Sequence, residues 1–278
     1  MTTRVVLLTG GDRRHRYVAR ELHRSAGLAG VVSEEKADPV PAGPLPPSDR
    51  DVLRHHLAER EETEAQLLGE PDLPASVPHL AVSHGAINDR DVLEWVKVAA
   101  PDLIVLYGTS LIRAPLLDTF AGRIVNLHLG LSPYYRGTAT NFWALVHREP
   151  ECVGATLHLA APRVDAGGIL EQVRPACLRG DRAHELGTRA LMAATAVLPA
   201  VLERYAAGHL DPVPQDLSHG LVFRRRDFTA AAVRCLWRQL ETGMIDEFLA
   251  SRDERLARRP IVQRLSGKAA EQPHVQTG

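Results

Sequence analysis

Apolar residues along this chain fall into short unbroken runs separated by amphipathic stretches. Arg4 to Thr9 is one run, closed by Gly10-Gly11. Leu28 to Ser33, Leu103 to Tyr107 and Ile124 to Leu127 are others. Runs of this length without polar alternation suit strands buried on both faces of a parallel sheet. The stretches between them carry helical spacing. Arg16 to Arg24 sets Tyr17, Val18 and Leu22 on one side, and Asp49 to Gly69 is charged and helix-prone, with Leu53, Leu57 and Leu67-Leu68 as its apolar positions. Asn88 is expected to cap a helix over Asp89 to Ala99, which carries Val92, Leu93 and Val96. Short helices are predicted over Leu116 to Phe120 and Thr140 to Val146, and a long one over Ala183 to Tyr205. Val153 to Leu159 alternates as a strand, and Ile169 to Val173 begins another. Strand, glycine turn, helix and strand at the start predict an α/β class, with a Rossmann-like open, mostly parallel twisted sheet flanked by helices.

The punctuation divides the chain. Asp38 to Ser48 holds five prolines in eleven residues and reads as a loop, as does Pro74 to Gly85 around the short run Leu80-Ala-Val82. Past Gly208 the composition shifts. Asp211 to Pro214 reads as a linker, Leu221 to Phe228 carries Arg224-Arg225-Arg226, Ala230 to Leu249 reads as one helix, and the tail from Leu265 as polar. The expected organisation is a Rossmann-like catalytic domain over 1–207 and a small, mainly helical extension over 208–278. The apolar stripe around Trp237 is either a homodimer surface or a face packed on its own domain.

Composition narrows the partners. Of 278 residues, 45% are hydrophobic, enough for a sizeable core, and the net charge of −1 gives little footing for a polyanion. No nucleic-acid partner is expected, and the arginine triplet reads as a solvated face. The start lacks a signal peptide's apolar core and no run suggests a membrane span, so a cytoplasmic location is expected. The three cysteines, Cys152, Cys177 and Cys235, lack metal-type spacing and are expected as thiols, the first two buried. His55-His56 invites a metal reading, but adjacent helical residues point apart, so a solvated helix face and no metal are expected.

The chemistry concentrates between Ile124 and Ile169. Asn126 and His128 lie two apart at the end of an apolar run and face the same side of an extended segment. Asp165 follows in a loop before Gly167-Gly168, glycines expected to give that loop its freedom. An amide, an imidazole and a carboxylate together suit attack on a carbonyl: the amide stabilises an oxyanion, the imidazole moves protons and the carboxylate holds the imidazole. His158 reads as a structural histidine, with a second role near the site as the alternative, and His147 as exposed. The opening Gly10-Gly11 is not a Gly-x-Gly-x-x-Gly turn. It either lets the backbone approach a phosphate at a helix N-terminus or is a plain tight turn.

The order Asn126-x-His128, Pro133-x-x-Arg136-Gly137, the Trp143-Ala144 pair, Gly154-Ala-Thr156 and Asp165-x-Gly167-x-Ile169 resembles the folate-dependent formyltransferase family over roughly residues 1–205. Gly130 stands where the family motif has Ser, and Ser132 where it has Leu; the triad positions match. The resemblance implies a formyl group moved from 10-formyltetrahydrofolate to a primary amine, with Asn126, His128 and Asp165 as the catalytic set. In this mechanism Asp165 favours protonated His128. It implies that Gly108, Thr109, Ser110, Leu111 and Ile112, with Val164, hold the folate, and that Ser132-Pro133 is cis. Gly10, Gly11, Tyr134 and Arg136 are the candidates for holding the acceptor, though Arg136 equally suits holding its own loop through backbone carbonyls. Among family activities, the layout is closer to enzymes acting on amino-sugar nucleotides or specialised-metabolite amines. A methionyl-tRNA enzyme would carry a C-terminal β-barrel, and a glycinamide ribonucleotide enzyme lacks the 38–85 insertion. A formyltetrahydrofolate hydrolase would carry a regulatory module ahead of the first strand. The intact triad weighs against a non-catalytic binding protein.

Overall fold

The computed structural model describes residues 3–38, 40 and 44–265; Pro39 and Pro41 of the proline-rich loop and the tail after Leu265 lie outside the described residues. Strands β1 (Arg4–Gly10), β2 (Gly27–Glu34), β3 (His79–Val82), β4 (Leu103–Tyr107) and β5 (Ile124–His128) lie parallel. The sheet order is β3-β2-β1-β4-β5-β7-β8. The last two strands, β7 (Ala155–Leu159) and β8 (Ile169–Val173), run antiparallel. A separate pair joins β6 (Tyr135–Gly137) to β9 (Leu221–Phe223) in parallel. The expected mostly parallel α/β sheet is therefore what the chain forms.

Strand β1 shows why the runs had to be continuous. Val5 and Leu7 enter one core and Val6 and Leu8 the other, all with zero exposure. Successive side chains alternate faces, and both faces are covered by helices. Helices α1 (Arg13–Ser25) and α6 (Ala183–Ala206) cover the first face with Val18, Leu22, Leu191 and Leu198. Helix α3 (Arg90–Ala99) covers the second with Val92, Leu93 and Val96. By length and composition α6 could span a bilayer, contrary to expectation, but its apolar side is spent on the core beside β7 and β8.

A third core lies beyond the sheet. Helix α2 (Pro47–Leu68) brings Leu53, α5 (Thr140–Val146) brings Phe142 and Trp143, and α7 (Ala230–Glu241) brings Val233 and Leu236. The apolar stripe around Trp237 is thus taken up within the chain, which removes the exposed face on which a homodimer was argued. The single helix predicted over Ala230 to Leu249 is two, α7 and α8 (Met244–Ala250), and a further short helix, α9 (Arg252–Arg258), follows; α4 (Leu116–Thr119) is the remaining short one. Gly243, at φ 85°, breaks the run, a conformation that side chains disfavour and glycine adopts freely.

Several local expectations change. Leu80-Ala-Val82 is not loop but part of edge strand β3, since pairing with β2 outweighs its turn-rich flanks. Asp89, not Asn88, precedes α3; the Asn88 side chain donates to the Leu111 carbonyl at 3.0 Å and accepts from the Arg113 amide at 2.7 Å. Val213, in the expected linker, bridges Ile169. His55 is exposed, but its neighbour His56 is buried, its ring against Phe142 and His184, so the pair does not form a solvated face. Cys152 is buried and Cys177 only half-buried; all three cysteines are free.

Leu236 has no exposure and packs where α2, α5 and α7 meet. Leu236→Ala is expected to cost about 2–5 kcal/mol through lost burial and a residual cavity. Urea unfolding checks this, with a single shifted transition as the expected result.

Candidate active site

Ligands of open α/β sheets bind beyond the strand C-termini, where the strand order reverses. In this sheet that place lies beyond β1 and β4, with β5 alongside. Strand β5 ends in Asn126 and His128, which face the same way as expected. Antiparallel β7 sets His158 opposite Asn126 and Thr156 opposite His128. The loop between β7 and β8 returns Asp165 to the same point.

The four side chains interlock. The Asn126 amide nitrogen lies 3.0 Å from His158 Nε2 and 3.2 Å from Asp165 Oδ1. His158 Nδ1 faces the Leu159 carbonyl at 2.8 Å, which can only accept, so the ring proton sits on Nδ1 and Nε2 accepts from the amide. Asp165 Oδ2 accepts from the Gly137 backbone N–H at 2.8 Å and lies 3.5 Å from His128 Nδ1. On its far side, His128 Nε2 donates to the Tyr135 carbonyl at 3.2 Å and lies 3.3 Å from the Thr140 hydroxyl. His158 therefore belongs to the site, in keeping with the alternative reading of it. The β5–β7 register was the signal that could have found it. Thr140 and the Gly137 amide had no sequence signal of their own.

The loop reaches this geometry differently from expectation. Asp165 itself takes the left-handed conformation, at φ 47°, which Asp tolerates better than most residues. Gly167 and Gly168 are needed for closeness: a Cβ on Gly167 would collide with the Leu159 carbonyl, and one on Gly168 would lie 2.6 Å from Pro212. The Gln215 amide pins the loop by donating to the carbonyls of Asp165 at 3.0 Å and Gly167 at 2.6 Å.

Burial sets the protonation states. Burial pushes the Asp165 carboxyl up, but the adjacent His128 and His158 imidazoles and the Gly137 N–H outweigh it and hold the group well below the usual carboxylate range. For His128 the balance reverses: burial pushes the imidazole below its ordinary value, and the Asp165 charge only partly restores it. The resting pair is an ionised carboxylate beside a neutral imidazole. The expectation that Asp165 favours protonated His128 gives the right sign for the carboxylate but omits the larger effect of burial.

The triad opens into a cavity of about 490 Å³ whose walls include Gly108, Thr109, Ser110, Leu111, Ile112 and Val164, so every residue expected at the folate faces the same space as the triad. The Glu34 carboxylate, 1% exposed, fixes that loop by accepting from the Ser110 amide at 2.6 Å and the Gly85 amide at 2.8 Å. A second cavity of about 760 Å³ adjoins it between α2 and α6, sharing Arg14, Lys36, Tyr107 and Thr140 as common wall.

The residues expected at the acceptor are not brought together. Gly10 and Gly11 form neither cavity's wall. His15 fills the space, and a Cβ on Gly10 would lie 2.6 Å from its ring, one on Gly108 2.5 Å. This is the tight-turn reading, with glycine required by ring packing. The Tyr134 hydroxyl donates to the Pro260 carbonyl at 2.7 Å, away from both cavities. Arg136 is 3% exposed with Nε unpartnered; its segment is strand β6, not the predicted loop, because β9 pairs with it. Of the arginine triplet, Arg225 lines the larger cavity.

Because the folded carboxyl of Asp165 titrates below its unfolded value, its stabilisation is present above about pH 4 and is lost as pH falls through the folded value. Asp165→Asn should flatten the acid limb of stability below about pH 4. Chemical denaturation at pH 3 to 7 for both proteins measures this; parallel curves would contradict it.

Residues 52–202 match the family model described as formyl transferase. The fold is similar to that of phosphoribosylglycinamide formyltransferase from Anaplasma phagocytophilum, with 20% identity and a TM-score of 0.54, covering 81% of this chain and 99% of that one. It is similar to glycinamide ribonucleotide transformylase 1 from Symbiobacterium toebii, at 22% identity and a TM-score of 0.53 over 76% and 94% of the two chains. It is also similar to a sugar N-formyltransferase from a Shewanella species, at 14% and 0.52 over 81% and 78%. These identities speak to the fold alone. The family match spans more than half of the chain and contains the Asn126, His128 and Asp165 cluster: the chain belongs to the formyl transferase family, and it is a formyltransferase.

Proposed function

We propose that the protein transfers a formyl group from 10-formyltetrahydrofolate to a primary amine of a small molecule, an amino-sugar nucleotide or a specialised-metabolite amine. The observation that carries this reading is the meeting of two cavities beside the triad, at a common wall that includes Thr140, whose hydroxyl lies 3.3 Å from His128 Nε2. The smaller one, lined by Asn126, His128, Asp165 and the 108–112 loop, suits the folate. The larger, about 760 Å³, falls within the usual size of a small-molecule site and suits the acceptor.

The chemistry follows from the side chains. The neutral amine nitrogen attacks the formyl carbon, forming a C–N bond and placing negative charge on the formyl oxygen. Asn126 donates to that oxygen; its amide N–H groups are engaged by His158 and Asp165 at rest, so the oxyanion displaces one of those bonds. The nitrogen sheds a proton as it becomes an amide. Neutral His128 is placed to accept it, the Asp165 carboxylate stabilising the imidazolium so formed. His128 then delivers the proton to the folate nitrogen as the bond from the formyl carbon to that nitrogen breaks. The products are a formamide and tetrahydrofolate, and atoms and charge balance.

The test is a stopped assay following tetrahydrofolate release, with and without a panel of amino-sugar nucleotides and small amines. Release that requires an amine is the expected outcome. Equal release without one would replace transfer by hydrolysis, and no release with no folate binding by calorimetry would remove the folate. In the acceptor-dependent assay, Asn126→Ala should lower kcat about 10²- to 10³-fold, the usual cost of one oxyanion donor. His128→Ala and Asp165→Ala should nearly abolish turnover; retention of wild-type kcat in either would contradict proton transfer through His128 with Asp165 behind it.

A further inference from the structure

Helix α2 carries His56 and Glu59 one turn apart, where side chains three positions apart share a face. Helix α6 presents His184 to the same place. One ligand-capable atom of each residue lies within 4.8 Å of those of the other two. His56 is 4% exposed, and its ring centroid is 4.3 Å from that of His184. His56 Nδ1 and His184 Nε2 are both buried and without a hydrogen-bond partner. A buried polar atom left unpaired is costly, and here two imidazole nitrogens are left so at one junction. Both rings form part of the larger cavity's wall.

The donor set has a definite chemical preference. Two imidazoles and one carboxylate suit Zn²⁺ and its first-row neighbours, whereas Mg²⁺ and Ca²⁺ take oxygen donors. Burial pushes His56 down to about 3 and His184 to about 4, so both rings are neutral and offer lone pairs at pH 7. Bonds of about 2.0–2.2 Å set tetrahedral donors roughly 3.4 Å apart, so donor atoms now within 4.8 Å of one another close in by at most about 1.4 Å around a metal. Two neighbouring cations weigh on the site. Arg182 pairs with Glu59 at 3.2 Å and is more than half exposed, so it can turn to solvent. Arg60 lies near both rings, and its charge is balanced by Glu61 at 3.2 Å and Glu64 at 3.7 Å.

We propose that His56, Glu59 and His184 bind a divalent first-row transition cation, Zn²⁺ by preference, which clamps α2 to α6 and turns an open coordination position toward the larger cavity. Three protein donors leave the fourth position free, the pattern of metal sites that exchange a ligand.

The test uses the full chain, free of any affinity tag and treated with a chelator. Zn²⁺ is titrated against a chromophoric competitor, and Co²⁺ is added separately to read its visible absorption. One equivalent of Zn²⁺ and a tetrahedral Co²⁺ spectrum are expected. Glu59→Gln and His184→Gln should each weaken binding at least tenfold and lose the Co²⁺ bands, while His79→Gln, altering an exposed histidine on edge strand β3, should change neither. Glu59 is half-buried and Gln matches it in size, and circular dichroism checks that its variant keeps the fold. Absence of a stoichiometric site, or wild-type affinity in both Glu59→Gln and His184→Gln, would overturn the proposal. The outcome is read without any activity and is independent of the acceptor's identity.

Discussion

Burying a carboxylate is costly unless the protein replaces the lost water with donors. Asp165 meets that demand from separate pieces of chain. The backbone amide of Gly137 comes from β6 and the side-chain amide of Asn126 from β5, while the rings of His128 on β5 and His158 on β7 each lie 3.5 Å from the carboxylate. Each contributes little alone. Together they fix the relative positions of a parallel strand, an antiparallel strand and a loop, and so place an amide and an imidazole on one side of a cavity. The sheet beneath makes this possible: its antiparallel ending lets β7 run back past β5 and set His158 opposite Asn126.

The electrostatic consequence is a division of labour. The carboxylate stays charged because the adjacent imidazoles and the Gly137 N–H favour it, and the imidazole stays neutral because it is buried. A proton arriving at the site therefore has one acceptor ready for it, and a charge waiting to stabilise the result. The same low dielectric strengthens any bond from Asn126 to a developing negative charge.

The sheet was legible in the sequence because strands covered on both faces must be apolar throughout, and Arg4 to Thr9 or Leu103 to Tyr107 could hardly do anything else. Asn126 and His128 were legible as a pair from two-residue periodicity. What local pattern could not supply was partnership across distance. His56 turns inward because Phe142 and His184 meet it there, not because of any residue near it in the chain. Tyr135 to Gly137 is a strand only because Leu221 to Phe223 arrives beside it. Asn88 looked like a helix cap, but a loop more than twenty residues away offered its side chain better partners. The division at Gly243 was visible as a glycine in an apolar helix, yet continuous apolar spacing on either side concealed it.

The small β6–β9 ribbon carries a consequence for how separable this catalytic unit is. Strand β6 supplies both the amide that holds Asp165 and the carbonyl that holds His128, and its neighbour β9 comes from residues 221–223, outside the 52–202 region that matches the family. Phe223 adds an aromatic stack on Trp143, with centroids 4.4 Å apart. The triad is encoded within the shared region, but part of its scaffolding is encoded downstream. Evolution of the tail is thus not free of the chemistry: a lineage that exchanges this segment must find another way to brace Gly137, and the catalytic core is not a portable module.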